Sequence, residues 1–136
     1  MALLEKQLVV KRSTIPRAGK GLFTKKIITK GTVIIEYKGK ISTWKDADHD
    51  DGRNAYIYYV SRHHVIDAKD HPKAIGRFAN DSKGPYGIEG IKNNSQYVQV
   101  NNRVFIKSMK DIAVGGEILV GYGKNYWDVF KKNKVI

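Results

Sequence analysis

Cysteine is absent from this chain of 136 residues, so neither disulfides nor thiolate metal sites hold it together, and a reducing compartment is permitted. Proline is scarce, at three against thirteen glycines, a ratio that favours short elements joined by tight turns over a disordered polymer. Acidic residues number only thirteen against 25 Lys and Arg, and four of them crowd into Asp46, Asp48, Asp50 and Asp51. No apolar run approaches a signal peptide or a membrane span, so a soluble intracellular protein is expected, with nucleus and cytoplasm not distinguished. His49, His63, His64 and His71 lack the spacing of a zinc site, and no metal is expected.

What is present suits one compact domain over 1–136, since the length supports a single core and not two. The formal charge of +12 makes nucleic acid a candidate partner, because clustered cations gain affinity by releasing counterions from phosphates. β-Branched runs at Leu8-Val9-Val10, Thr32 to Ile35, Tyr56 to Val60 and His64 to Ile66 predict short strands. Tyr97 to Val100 and Arg103 to Ile106 read as a hairpin about Asn101-Asn102, since asparagine tolerates the positive φ of a tight turn. Helical signal is confined to a turn or two at Ser42 to Ala47 and a short C-terminal helix at Asn125 to Lys132. From residues alone the fold class is mostly β.

Gly19-Lys20-Gly21 lets backbone approach a ligand, yet it lacks the third glycine of a dinucleotide fingerprint and taken alone reads as a turn. The stretch from Asp46 to Gly52 fails as a calcium loop, with its glycine one place late and Ile57 where a glutamate should stand. Five ordered segments carry more weight. Gly19-Lys20-Gly21-Leu22-Phe23, Glu36-Tyr37-Lys38-Gly39, Ala55 to Val60 leading into Val65 to Ala68, Arg77 to Ser82, and Glu117 to Gly123 together resemble the motif series of the SET-domain protein-lysine methyltransferases.

That resemblance implies a SET-domain fold, several small β-sheets around a C-terminal pseudoknot in which the segment of Tyr122 passes beneath an earlier loop. It implies a variable insert at about 42–54 and a closing segment at 124–136 in place of a cysteine-rich zinc tail. The implied enzyme moves methyl from S-adenosylmethionine to the ε-amine of a substrate lysine on a histone or another basic protein, which would place it on chromatin, and the basic surface adds nucleosomal or other nucleic-acid contact as an expectation. The implied catalytic residues are Tyr122 and Tyr56, with Tyr37, Tyr58 and Val120 lining the lysine channel. Cofactor contacts are implied at Lys20, Gly21, Leu22, Tyr56, Arg77, Phe78, Asn80, Asp81, Tyr122 and Trp127. Asp46, Asp48, Asp50 and Asp51 are expected along the substrate groove.

Three departures temper the resemblance. Asp81 stands where histidine is usual, a change expected to keep a backbone contact but lose the side-chain one that pins the pseudoknot. Val120 stands where an aromatic ring often limits methyl number, so its smaller volume favours di- or trimethylation. Gly121 replaces a frequent aspartate. The alternatives are a catalytically degenerate SET-fold binding protein and a basic nucleic-acid-binding module that uses Tyr86 and Tyr97 for stacking.

Overall fold

The computed structural model describes residues 3–49, 56–71, 73–83, 87 and 89–122. Within them run β1 (Leu8–Arg12), β2 (Lys20–Thr24), β3 (Val33–Glu36), β4 (Lys40–Ser42), β5 (Ile57–Ser61), β6 (His64–Asp67), β7 (Ser95–Val100) and β8 (Arg103–Ser108), with 3-10 turns at Glu5–Gln7 and Ile75–Phe78. They form three small antiparallel sheets of order β1-β2, β3-β8-β7 and β4-β6-β5. The mostly β expectation holds. The turn or two expected at Ser42 to Ala47 is there as a set of turns closed by an Ala47 N–H to Thr43 carbonyl bond, too short to propagate as a helix. The expected helix at Asn125 to Lys132 lies outside the described residues, as do Asp50, Asp51 and Trp127.

The β7–β8 hairpin turns where the paired asparagines predict, with Asn101 at φ 58°. A two-residue turn fixes the register as Val100 opposite Arg103, Gln99 opposite Val104 and Tyr97 opposite Ile106. Val104 and Ile106 are fully buried, so the Tyr97 face of β7 turns inward with them.

The main core gathers Leu22, Ile28, Ile34, Ile106, Ile118 and Val120, all without exposed surface to speak of. Each such aliphatic side chain stabilises the fold by about 1.5–3 kcal/mol relative to exposure. A second cluster of Tyr37, Ile66, Ala68 and Val104 joins the β3-β8-β7 sheet to the β4-β6-β5 sheet. Gly39 makes that junction possible, because any Cβ there would overlap the backbone of Asp67 and Ala68 at the end of β6.

The last described segment is threaded. Ile118 N–H donates to the Leu22 carbonyl at 2.7 Å and Val120 N–H to the Asn80 carbonyl at 2.8 Å, while the Leu119 carbonyl accepts from Asn94 and Ser95 N–H groups at 2.9 and 3.0 Å. Parallel bridges pair Asn80 with Leu119 and Ser95 with Val120. Residues 118–120 therefore pass between the backbone at 80 and the backbone at 94–95, a topology that few chains adopt. Periodicity gives no hint of it; the motif series did.

Candidate active site

Glu117 organises the entrance to the threaded segment. The residue is 8% exposed, and its carboxylate accepts from Ser13 Oγ at 2.6 Å, Thr14 N–H at 3.0 Å and Thr14 Oγ1 at 2.5 Å, with Asn80 Nδ2 at 3.5 Å. A buried carboxylate is tolerable only with such a set of donors. Gly21 must be glycine for the same reason, since a Cβ would overlap the Glu117 carboxylate. Nothing in the sequence near Glu117 announces this role, because Ser13 and Thr14 lie 104 and 103 positions away.

Asn80 sits at the meeting point of two predicted cofactor segments. Its Nδ2 donates to the Lys20 carbonyl at 3.0 Å, which fixes the amide between β2 and the threaded strand. Lys20 is exposed, whereas Gly21 is buried, and Leu22 is fully buried with its carbonyl accepting from Ile118. Arg77 donates from Nη1 to the carbonyls of Ala68 and Lys69 at 3.0 and 2.8 Å, and its guanidinium lies 4.6 Å from the Tyr56 ring centre and 4.7 Å from that of Phe78. It thus clamps the 3-10 turn onto the end of β6. Phe78 packs against the main core.

Asp81 corrects an expectation. Its side chain does not leave the pseudoknot unpinned: at 5% exposure, Oδ2 accepts the Tyr122 backbone N–H at 2.9 Å, and Oδ1 accepts from Lys83 N–H and Asn93 Nδ2, both at 2.8 Å. A carboxylate accepts on every lone pair, so it satisfies several donors that would otherwise be buried unpaired. Asn93 extends the tie by accepting from Ser82 N–H and Oγ at 2.8 and 2.9 Å.

Four tyrosines form a row beside this knot. Tyr122 stacks on Tyr97 with centroids 6.4 Å apart and planes at 23°; Tyr97 meets Tyr58 at 5.0 Å and Tyr37 at 6.0 Å, edge to face in both cases. Tyr37 and Tyr58 complete the set at 6.0 Å. Such tilted and edge-on pairs suit the ring quadrupole. Tyr122 Oη donates to the Ala79 carbonyl and Tyr37 Oη to the Tyr56 carbonyl, each at 2.6 Å. Burial pushes the Tyr58 hydroxyl above the usual tyrosine value, so it stays protonated throughout the neutral range.

The row gathers Tyr37, Tyr58 and Tyr122 of the predicted residues. Tyr56 adjoins them through the second core cluster, with its ring beneath Arg77. Val120 lies fully buried in the main core, against whose edge Tyr97 and Tyr122 pack, so it sits behind the row. Tyr97 was missed as a site residue. The hairpin register carried the signal, since Asn101-Asn102 as turn residues set Tyr97 opposite the apolar Ile106. Of the predicted groove, Asp46 and Asp48 are exposed, and Asp48 pairs with Lys69 at 3.4 Å. An exposed pair of this kind contributes little to stability.

The residues present fit an amino-acid-bearing cofactor, for the carbonyl of the exposed Lys20 holds the Asn80 amide, whose Nδ2 is committed and whose Oδ1 is turned to no donor among the described residues and can accept an ammonium. Among the described residues no group of three or more His, Cys, Asp or Glu side chains gathers to hold a metal ion, and no helix is long and apolar enough to cross a membrane.

Comparison with known proteins gives the same family. The SET domain model matches residues 19–123. The chain is 27% identical over 126 residues to Histone-lysine N-methyltransferase set-17 of Caenorhabditis elegans, covering 92% of this chain and 44% of that protein. It is 26% identical over 126 residues to N-lysine methyltransferase KMT5A of Xenopus tropicalis, covering 84% and 36%. The chain thus spans less than half the length of these curated relatives. In fold it is similar to the methyltransferase domain of human PR domain-containing protein 2, with a TM-score of 0.63, 24% identity, and 86% and 77% of the two chains covered.

Proposed function

This chain belongs to the SET domain family, and from that premise we propose that it is a protein-lysine N-methyltransferase that uses S-adenosylmethionine and acts on a histone or another basic protein. The observation that carries the reading is the row of four tyrosines ending at Tyr122, on the threaded segment, beside the Asn80 and Lys20 pair.

A substrate lysine must lose its proton before it can attack, and its ordinary pKa of about 10.4 opposes this at neutral pH. A walled slot of aromatic rings disfavours the ammonium by removing its water, which lowers that pKa and releases the proton to solvent. The Tyr122 and Tyr37 hydroxyls each spend their proton on a backbone carbonyl. Their oxygens therefore act toward the amine as acceptors, holding its N–H groups so that the nitrogen lone pair has one direction of approach. The bound cofactor supplies an electrophilic methyl on sulfur and leaves as S-adenosylhomocysteine. Asn80 Oδ1 and the backbone near Lys20 take its amino-acid portion in this reading, with Arg77 and Phe78 holding the turn that supports them. Asp46, with Asp48 behind its Lys69 partner, offers negative charge to a basic peptide.

The test is transfer of labelled methyl from S-adenosylmethionine to core histones, nucleosomes and a cell lysate, with Tyr122→Phe in parallel. A labelled band that falls at least about tenfold in the variant is the expected result, on the usual effect of losing one oriented polar group at a reacting centre. A folded protein that binds no cofactor and labels nothing would sink the proposal in favour of a degenerate SET-fold binding protein.

A further inference from the structure

Against the threaded segment at Gly121 lies a groove of about 540 Å³, too large for a single small anion. Lys83, Lys92 and Lys110 stand around it with Ser82, Asn93 and Gln96, and among the described residues no carboxylate lines it. All three lysines are exposed, and none is in an ion pair among the described residues. Asp111, next to Lys110 in sequence, is outside the lining and accepts the Lys30 N–H at 2.8 Å, neither it nor Glu89 forms an ion pair with these lysines among the described residues, and Asp81 has both oxygens engaged by Tyr122, Lys83 and Asn93 N–H groups. The groove is thus rimmed by three cations, over a floor that mixes Ser82, Asn93 and Gln96 with the apolar Ile91 and Met109, and no carboxylate is in its described lining.

We propose that this groove binds the phosphodiester backbone of nucleic acid. Clustered lysines act on phosphates as point charges and gain their affinity from released counterions, a mode that needs no base-reading side chains and fits a lysine-rimmed groove. The chain's formal charge of +12 is the matching long-range field. A second concavity, at Trp44, Lys45, Arg62 and His63, contains Asp46 and is the weaker site for a polyanion.

The position of the groove gives the binding a purpose under the proposed function, although the binding itself stands on the charge and shape alone. Gln96 and Tyr97 are consecutive in β7 and so leave it on opposite faces. Nucleic acid on the Gln96 side and a lysine among the tyrosines do not compete for one surface. A strongly basic enzyme repels a basic protein substrate; a nucleic acid that both grip removes the repulsion and concentrates the target. The class of substrate that follows is a protein already seated on nucleic acid.

The experiment measures fluorescence anisotropy of a labelled DNA duplex and a labelled single-stranded RNA, without cofactor, across a salt series. It compares the parent with Lys83→Ala/Lys92→Ala/Lys110→Ala and with a control of equal charge loss, Lys25→Ala/Lys26→Ala/Lys30→Ala. The groove variant is expected to bind at least about tenfold more weakly, with a salt slope lower by roughly one per lysine removed, while the control keeps most of its affinity. Binding of DNA alone, RNA alone or both supports the site and names its source. Equal losses in the two variants, no binding by the parent, or equal displacement of the probe by polyglutamate would overturn it. Methyl transfer to a free peptide, unchanged in the groove variant, separates this site from the tyrosine row; if no transfer is seen in any variant, the binding readout still decides the groove.

Discussion

The Asp81 carboxylate accepts the backbone N–H of Tyr122 at 2.9 Å across a sequence separation of 41, and with its other oxygen it holds Asn93 and the Lys83 backbone. One side chain therefore ties the threaded strand to both ends of the loop that it passes, and does so at the backbone of the residue proposed for catalysis. The knot requires an acceptor at position 81, whichever residue type supplies it.

Asp81→Asn keeps shape and volume but swaps one acceptor oxygen for a donating amide, which must then face an N–H. We expect it to lower stability by about 1–3 kcal/mol, the usual cost of a buried donor left unpaired. Urea unfolding measures this directly. Methyl transfer should fall with it at temperatures where the variant remains folded, because the backbone of Tyr122 loses its anchor. A variant as stable as the parent would mean that the carboxylate does not hold the knot.

Tyr97 touches three other tyrosines, and it opposes Ile106 in the hairpin. Tyr97→Ala removes the ring between Tyr122 and Tyr58 and is expected to cost about 3–5 kcal/mol. Tyr97→Phe preserves all three ring contacts and should remain within about 1.5 kcal/mol of the parent by thermal or urea unfolding. Under the proposed function the Phe variant keeps transfer near the parent rate. Loss of activity in Tyr97→Phe without loss of stability would assign its hydroxyl a direct part in the chemistry.

These residues mark what was legible. β1, β3, β5, β6 and the β7–β8 hairpin follow from β-branched runs and from a turn that asparagine makes easy. β2 and β4 were not assigned as strands, because Gly21 interrupts the first and Lys40–Ser42 is too short to show alternation. Tyr37, Tyr58 and Tyr122 were found through the motif series, whereas Tyr97 required the hairpin register to be followed to its inward face. Glu117 and Asp81 were illegible for another reason. Their partners come from distant segments, and hydrogen bonding sets no sequence period that could reveal them. At position 81 the family's usual side chain is a poor guide, because the requirement there is an acceptor aimed at one N–H.

Val120 separates two accounts of product number. It has no exposed surface, its N–H is held by Asn80, and it packs with Leu22 and Ile118 behind the tyrosine row. Val120→Phe is therefore expected to overpack the core and lower stability by about 1–3 kcal/mol. Unfolding measurements should be set beside mass spectrometry of the methylated peptide. A variant of unchanged stability that makes fewer methyl additions would show that position 120 opens on the lysine channel rather than the core.

The Glu36–Arg103 pair gives a prediction whose sign depends on pH. Arg103 Nη2 and Nε donate to the two Glu36 oxygens at 2.7 and 3.1 Å, linking β3 to the start of β8. The hydrogen bond and charge of Arg103 hold the Glu36 carboxyl below its ordinary value of 4.5, against a smaller upward push from burial. A carboxyl lowered in the folded state binds its proton more readily when unfolded, so the pair's stabilisation is fully present above that ordinary value and is lost as pH falls through the folded value. Arg103 lies largely in solvent, which screens the effect and keeps it small. Arg103→Met should consequently melt below the parent at pH 7, and the gap should close as pH drops below about 4. Melting temperatures followed from pH 7 to about 3 provide the test. A gap that persists undiminished in acid would assign the role of Arg103 to its packing over Phe105, whose ring centre lies 5.1 Å from the guanidinium, and not to the charge of Glu36.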